Sequence, residues 1–172
     1  MAQKWSYPVL PLAIASALLI FITFQPMTRP ASAKVGAPAP TFQLADMDGK
    51  LVSLSQYRGR TVLLDFWATW CDSCQEEMPQ LETAYRRHRD KGFTVLAASM
   101  DHQGRSAIAP FAAKYKLTYP ILLSDGKTAT AYGVFGLPTA YLIDNGGVIV
   151  QRYVGPIDAQ TLENDILTQL QK

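Results

Sequence analysis

The sequence predicts an α/β fold: one mixed central sheet flanked by helices on both faces. Two mostly apolar runs, Thr61 to Trp67 and Phe93 to Ser99, have the pattern of central strands covered on both sides. Helical stripes alternate with strands along the chain, and the alternation ends in a hairpin rather than in another crossover. At 172 residues the chain is long enough for one domain with a substantial core and too short for two.

The elements follow in order. Phe42 and Leu44 alternate with polar neighbours, Asp48-Gly49 marks a turn, and Val52 and Leu54 alternate again, which predicts an N-terminal β-hairpin. After the Thr61 to Trp67 strand, Cys74, Met78, Leu81, Tyr85 and His88 recur at spacings of four and three. That is one buried helical face, with Pro79 inside it removing a backbone donor. His88 is expected to close the stripe at the helix edge, and Arg86-Arg87-His88-Arg89 to form a solvated face. Phe93 to Ser99 is the second buried strand. Ser106 to Tyr115 reads as a helix despite Pro110, Pro120 to Leu123 as a short strand, and Thr128 to Tyr132 as a helical turn. Thr139 to Ile143 and Val148 to Val154 form a hairpin around Asn145-Gly146-Gly147. Asp158 caps a last helix whose Leu162, Ile166 and Leu170 recur every four residues.

Residues 1–27 stand apart. Val9 to Phe24 is uncharged and almost wholly apolar, behind Lys4 and the amphipathic Trp5 and Tyr7. Counted from Trp5 to Met27, the segment reaches the roughly 20 residues a membrane-crossing helix needs. It is read as an uncleaved anchor. The alternative is a signal peptide cut near Ala33, after the small-x-small triplet Ala31-Ser32-Ala33. Residues 28–40, with Pro30, Pro38 and Pro40, read as a proline-rich linker, and 41–172 as the folded domain. The net charge of +2 and the lack of a Lys/Arg cluster give no footprint for nucleic acid.

Chemistry concentrates in Cys71-Asp72-Ser73-Cys74, which holds the chain's two cysteines. The apolar strand meets the helical pattern there, so Cys71 falls at a helix N-terminus. The macrodipole and free N–H groups at that position favour a thiolate. Cys74 lies one turn in, close enough to attack a mixed disulfide formed by Cys71. A zinc site would need about four ligands, and neither a second cysteine pair nor a ligand-spaced cluster with His88 or His102 is present. A purely structural disulfide closing so short a loop removes little unfolded-state entropy. Dithiol–disulfide redox chemistry is the expectation, with no cofactor and no metal. Asp72 beside Cys71 disfavours the thiolate, and a less stabilised reduced form makes a better electron donor.

The run Asp65 to Cys74 resembles the active-site segment of the thioredoxin superfamily, and Gly136-Leu137-Pro138-Thr139 resembles its cis-proline loop. Gln75-Glu76-Glu77-Met78-Pro79, Ala37-Pro38-Ala39-Pro40-Thr41-Phe42 and Arg58-Gly59-Arg60 resemble the membrane-anchored TlpA/ResA-like branch. The resemblance runs from about Val35 to the C-terminus. It implies a thioredoxin-like fold in which Asp101 to Leu123 is a central helix–strand insertion, and thiol–disulfide oxidoreductase activity on the extracytoplasmic face of a bacterial inner membrane. Cys71 is then the nucleophile and Cys74 the resolving thiol. Asp65, six residues before Cys71, lies under the site and relays a proton. Glu77 matches an active-site glutamate of the cytochrome-maturation branch, although a solvated helix acid beside Glu76 is the competing reading. Pro138 is cis, the Leu137 backbone pairs with an extended substrate, and Trp70 forms an apolar rim, whereas Trp67 is core. Implied partners are proteins with cysteine pairs (apocytochrome c or copper-site cysteines) and a membrane electron donor, served by a monomer.

Three competitors remain. A Cu(I) metallochaperone would use the same soft thiolates, but no methionines or histidines cluster near them in the sequence. A thiol peroxidase would need an activated cysteine outside the CxxC, and there is none. An oxidant that introduces disulfides would use the same residues in the opposite direction.

Overall fold

The computed structural model describes residues 33–172. The segment read as a membrane anchor or signal, 1–27, lies outside the described residues. No helix among the described residues is long and apolar enough to cross a membrane.

The strands are β1 (Gln43–Asp46), β2 (Leu51–Ser53), β3 (Thr61–Trp67), β4 (Phe93–Ser99), β5 (Ile121–Leu123), β6 (Thr139–Ile143) and β7 (Ile149–Val154). The helices are α1 (Asp72–His88), α2 (Arg105–Tyr115), α3 (Gly126–Ala131) and α4 (Ala159–Leu170). One seven-stranded sheet has the order β2-β1-β5-β4-β3-β6-β7. The β3–β4 and β4–β5 pairs are parallel, and the others are antiparallel. This is the thioredoxin-like α/β fold, with α2 and β5 inserting a strand between β4 and the N-terminal hairpin.

The continuous apolar runs became the two central strands because both faces are covered. Every residue of β3 and β4 is buried. Leu63, Trp67, Val95 and Ala97 pack with Cys74, Met78 and Leu81 of α1, Ile108 of α2, and Leu162 and Ile166 of α4. Val62, Leu64, Phe66, Leu96 and Ala98 pack on the opposite side with Phe42, Leu44, Ala129, Tyr132 and Tyr141. Alternation along β3 therefore puts Asp65, between Leu63 and Trp67, on the α1 side.

Local signals set the ends. Gly49 takes φ 82° in the β1–β2 turn, a conformation that costs a residue without Cβ little. The Asp158 carboxylate accepts the Thr161 N–H at 2.9 Å, capping α4. Helix α1 continues through Pro79. One expectation shifts, that for His88. His88 is buried rather than at an edge, its Nε2 lying 3.0 Å from a Glu163 carboxylate oxygen and tying α1 to α4. Arg86, Arg87 and Arg89 around it are exposed, as the solvated face requires, with Arg86 paired to Glu82 and Arg87 to Glu163.

The last part of the expected linker is not a free spacer. Gly36 N–H donates to Ile149 O (2.8 Å), Ile149 N–H to Ala37 O (3.0 Å) and Ala39 N–H to Gly147 O (2.9 Å), so this segment lies along the start of β7. Its unpaired backbone groups find partners on a strand edge that the hairpin leaves open.

Candidate active site

Helix α1 starts at the motif. Cys71 is its N-cap in extended conformation (φ −95°, ψ 105°), and its sulfur accepts the Cys74 N–H at 3.2 Å. The two cysteines form a disulfide with Cα atoms 5.2 Å apart. Cys71 is 8% exposed and Cys74 2%.

A cleft of about 770 Å³ opens over this disulfide, lined by Trp70, Cys71, Asp72, Ser73 and Glu76 on one side. Met100 and His102 come from the loop after β4, and Val134 to Leu137 from the loop before β6. Trp70 is 66% exposed, as a rim residue should be, while Trp67 is wholly buried. The Leu137–Pro138 peptide bond is cis. Leu137 lines the cleft; Pro138 is buried behind it, its carbonyl accepting the Gly155 N–H at 2.9 Å. The motif and the cis-proline loop are distant in the chain and meet because β6 lies beside β3.

Two carboxyl groups sit behind the disulfide. Asp65 on β3 is 2% exposed, and its Oδ1 has no hydrogen-bond partner. Glu77, one turn along α1 from Cys74, is 3% exposed with both oxygens unpartnered, which removes the reading of a solvated helix acid. Its helical position, three residues past the buried Cys74, carries it inward with the apolar stripe. Burial pushes Asp65 up to about 7. Glu77 is pushed up to about 8, by burial first and by the Asp65 charge second, while the Ile157 backbone N–H pulls the other way without meeting hydrogen-bond geometry. Two such groups share charge, so the pair holds one proton readily near neutral pH and resists losing both.

Some residues at the site carried no sequence signal. Asp101 accepts from Thr69 N–H (3.0 Å), Thr69 Oγ1 (2.5 Å) and Ser99 Oγ (2.8 Å), and so fixes the turn between β3 and the motif. Phe135, 97% exposed, stands on the cis-proline loop. Its signal was faint: a large aromatic between Gly133 and Gly136, outside any periodic pattern. Met100 and His102, distant from the motif in sequence, share its cleft. Among the described residues no group of three His, Cys, Asp or Glu side chains is placed to hold a metal ion.

A redox-active CxxC at a helix start, facing a cis-proline loop on this sheet, defines a thioredoxin-fold thiol–disulfide oxidoreductase. Residues 35–152 match the AhpC/TSA family, and the chain belongs to it. It is 32% identical over 159 residues to thiol-disulfide oxidoreductase ResA of Bacillus cereus, covering 91% of each chain. It is 36% identical over 133 residues to the thioredoxin-like protein YneN of Bacillus subtilis, covering 76% of this chain and 78% of that one. A Chlorobium tepidum structure assigned as the thiol:disulfide interchange protein DsbE superposes with a TM-score of 0.74 at 34% identity, covering 81% of this chain and 99% of that one. The ResA-like resemblance is therefore real, and the activity is thiol–disulfide oxidoreduction.

Proposed function

We propose that the protein works as a disulfide reductant, held at the extracytoplasmic face of a bacterial inner membrane by residues 1–27. The observation that carries the direction is the charge around the dithiol. Asp72 and Glu76 line the cleft with Cys71, Asp65 and Glu77 lie behind Cys74, and among the described residues lining the cleft there is no Lys or Arg. Carboxylates disfavour thiolates, and a reduced form that is not stabilised gives up electrons readily.

In the reaction Cys71 attacks a substrate disulfide, forming a mixed disulfide and releasing one substrate thiol. Cys74 passes its proton to the Asp65–Glu77 pair and attacks the Cys71 sulfur, so the second substrate thiol leaves and the enzyme is oxidised. Trp70 and Leu137 hold the substrate, an extended segment pairing with the Leu137 backbone beside the cleft. Apocytochrome c haem-binding cysteines and copper-site cysteine pairs are the substrate classes consistent with the family resemblance. A membrane protein returns the electrons, and the enzyme acts as a monomer.

The test is covalent capture in membranes of producing cells. Cys74→Ser should accumulate mixed disulfides with cysteine-pair proteins, absent from Cys71→Ser and released by dithiothreitol. Adducts that form on Cys71→Ser instead would overturn the assignment of roles. Protease added to intact spheroplasts should digest the catalytic domain while its N-terminus stays in the membrane fraction; protection from protease would contradict the placement. Met100 and His102 beside Cys71 keep one specific rival in view. Cu(I) bound stoichiometrically against excess glutathione, and lost in Met100→Ala, would favour a copper carrier.

A further inference from the structure

The face of the sheet behind the disulfide carries one more buried ionisable group that the dithiol steps leave unused. Asp65 is opposite Ala97 on β4, and Ala97 is opposite Ile121 on β5. Tyr119 lies two residues before Ile121 and belongs to the core cluster that holds Trp67 and Cys74. Ala97, between Asp65 and Ile121, carries only a methyl group over the middle strand. Tyr119 is 3% exposed, and its hydroxyl has no hydrogen-bond partner. Asp65 Oδ1, both Glu77 oxygens and Trp67 Nε1 share that condition in the same part of the core. Buried polar groups take partners, and where no protein atom reaches them a polar pocket takes water.

Tyr119 also meets α1. It packs edge-on against Tyr85 with ring centroids 6.0 Å apart, and both line a second cleft of about 470 Å³ with Asp46, Met47, Leu117 and Pro120. That cleft shares no lining residue with the one over the disulfide.

We propose that Tyr119 is a positioning residue for the proton of the Asp65–Glu77 pair, linking it through water to the second cleft, on the side that substrate does not cover. The inference rests on the reading of that pair as the acid–base partner of Cys74. When Cys74 resolves the mixed disulfide, its S–H proton moves to a carboxylate of the pair. The Cys74–Cys71 S–S bond forms, the Cys71–substrate bond breaks, and the electron pair leaves on the substrate sulfur. A protein substrate covers the mouth of the first cleft, so the pair's proton needs another way to solvent. Tyr119 passes it by accepting a proton on its oxygen as it donates its own. Burial first, then the charges of Asp65, Glu82 and Glu77, keeps the phenol protonated well above its usual range, so it relays without ionising. Of the other groups facing it, Glu82 is committed to Thr118 and Arg86, Tyr85 supplies its ring, and Asp46 stands across the cleft.

The test is stopped-flow oxidation of the reduced full chain in detergent, from pH 5 to 9, with two substrates. One is a protein disulfide that covers the cleft; the other is a small aromatic disulfide that leaves it open. With the protein substrate, Tyr119→Phe should slow the Cys74 step roughly tenfold, a small share of what a positioned proton relay contributes, and raise its solvent deuterium isotope effect. The small disulfide should react at the unchanged rate. Equal rates for variant and wild type with both substrates would overturn the proposal, as would equal slowing with both, which marks a packing role. Should Tyr119→Phe fold poorly, a fluorinated tyrosine at 119 keeps the shape with a more acidic hydroxyl, and the rate and solvent isotope effect of the Cys74 step with the protein substrate should then change while those with the small disulfide do not; no change with either substrate also overturns it. Asp65→Asn and Glu77→Gln run alongside. If neither alters the Cys74 profile, the acid–base reading itself fails, separately from Tyr119.

Discussion

Replacing Glu77 with Gln in the oxidised protein isolates the cost of the buried acid pair, because disulfide-bonded cysteines do not titrate. An ordinary glutamate ionises near 4.5, whereas Glu77 is held at about 8 in the folded chain. A folded pKa raised above the unfolded one gives stability that is whole below the unfolded value. That stability is lost as pH rises through the window from about 4.5 to about 8. The gap corresponds to on the order of 5 kcal/mol for this one group. Gln matches the shape of the neutral acid and never ionises, so the two proteins should have similar stability at acid pH. At alkaline pH the variant should be more stable by about 2 to 5 kcal/mol, the lower figure allowing for relaxation and water entry around the charged acid. Urea unfolding of oxidised wild type and Glu77→Gln, from pH 4 to pH 9, measures this directly. Stability curves that run parallel across that range would refute the buried, mutually raised pair, and with it the proton store assigned to Cys74.

Other outcomes follow from the same geometry. Phe135→Ala, which truncates an exposed ring on the cleft rim, should weaken binding of a protein substrate by about 1 to 2 kcal/mol, read as a raised KM, and leave the potential against glutathione unchanged. Asp101→Ala deprives Thr69 and Ser99 of their acceptor and should cost roughly 1 to 3 kcal/mol in denaturant unfolding, with the motif turn losing amide-exchange protection. Glu82 works in the opposite sense from Glu77. Although burial pushes its pKa up, bonds from Thr118 and Arg86 outweigh that and hold it below the ordinary value. Its contribution is therefore present above the unfolded pKa and lost as pH falls through the folded one. Glu82→Gln should narrow the stability gap between pH 7 and acid pH in the same unfolding series.

Much of the fold could be read from the chain because each central strand announces itself locally. Thr61 to Trp67 and Phe93 to Ser99 are buried on both sides, and that condition writes a continuous apolar run. Asp65 was conspicuous for the same reason, a carboxyl inside such a run. Glu77 was ambiguous because a helix acid next to Glu76 looks solvated until the direction of the α1 stripe is known. Asp101, Phe135 and Tyr119 left almost no trace. Their importance comes from what β4, the cis-proline loop and β5 bring next to the motif, and hydrophobic period records which side is buried but not which neighbour is met. The docking of Gly36 to Ala39 was hidden likewise: the partner is backbone, and backbone pairing has no side-chain signature.

The reduction potential of the Cys71–Cys74 pair, equilibrated against glutathione and dithiothreitol buffers, tests the central claim most directly. Asp72 and Glu76 beside Cys71, with the singly charged Asp65–Glu77 pair behind Cys74, predict a value near thioredoxin's, roughly −270 mV or lower. A value near roughly −120 mV would contradict a reductant and make the protein a donor of disulfides.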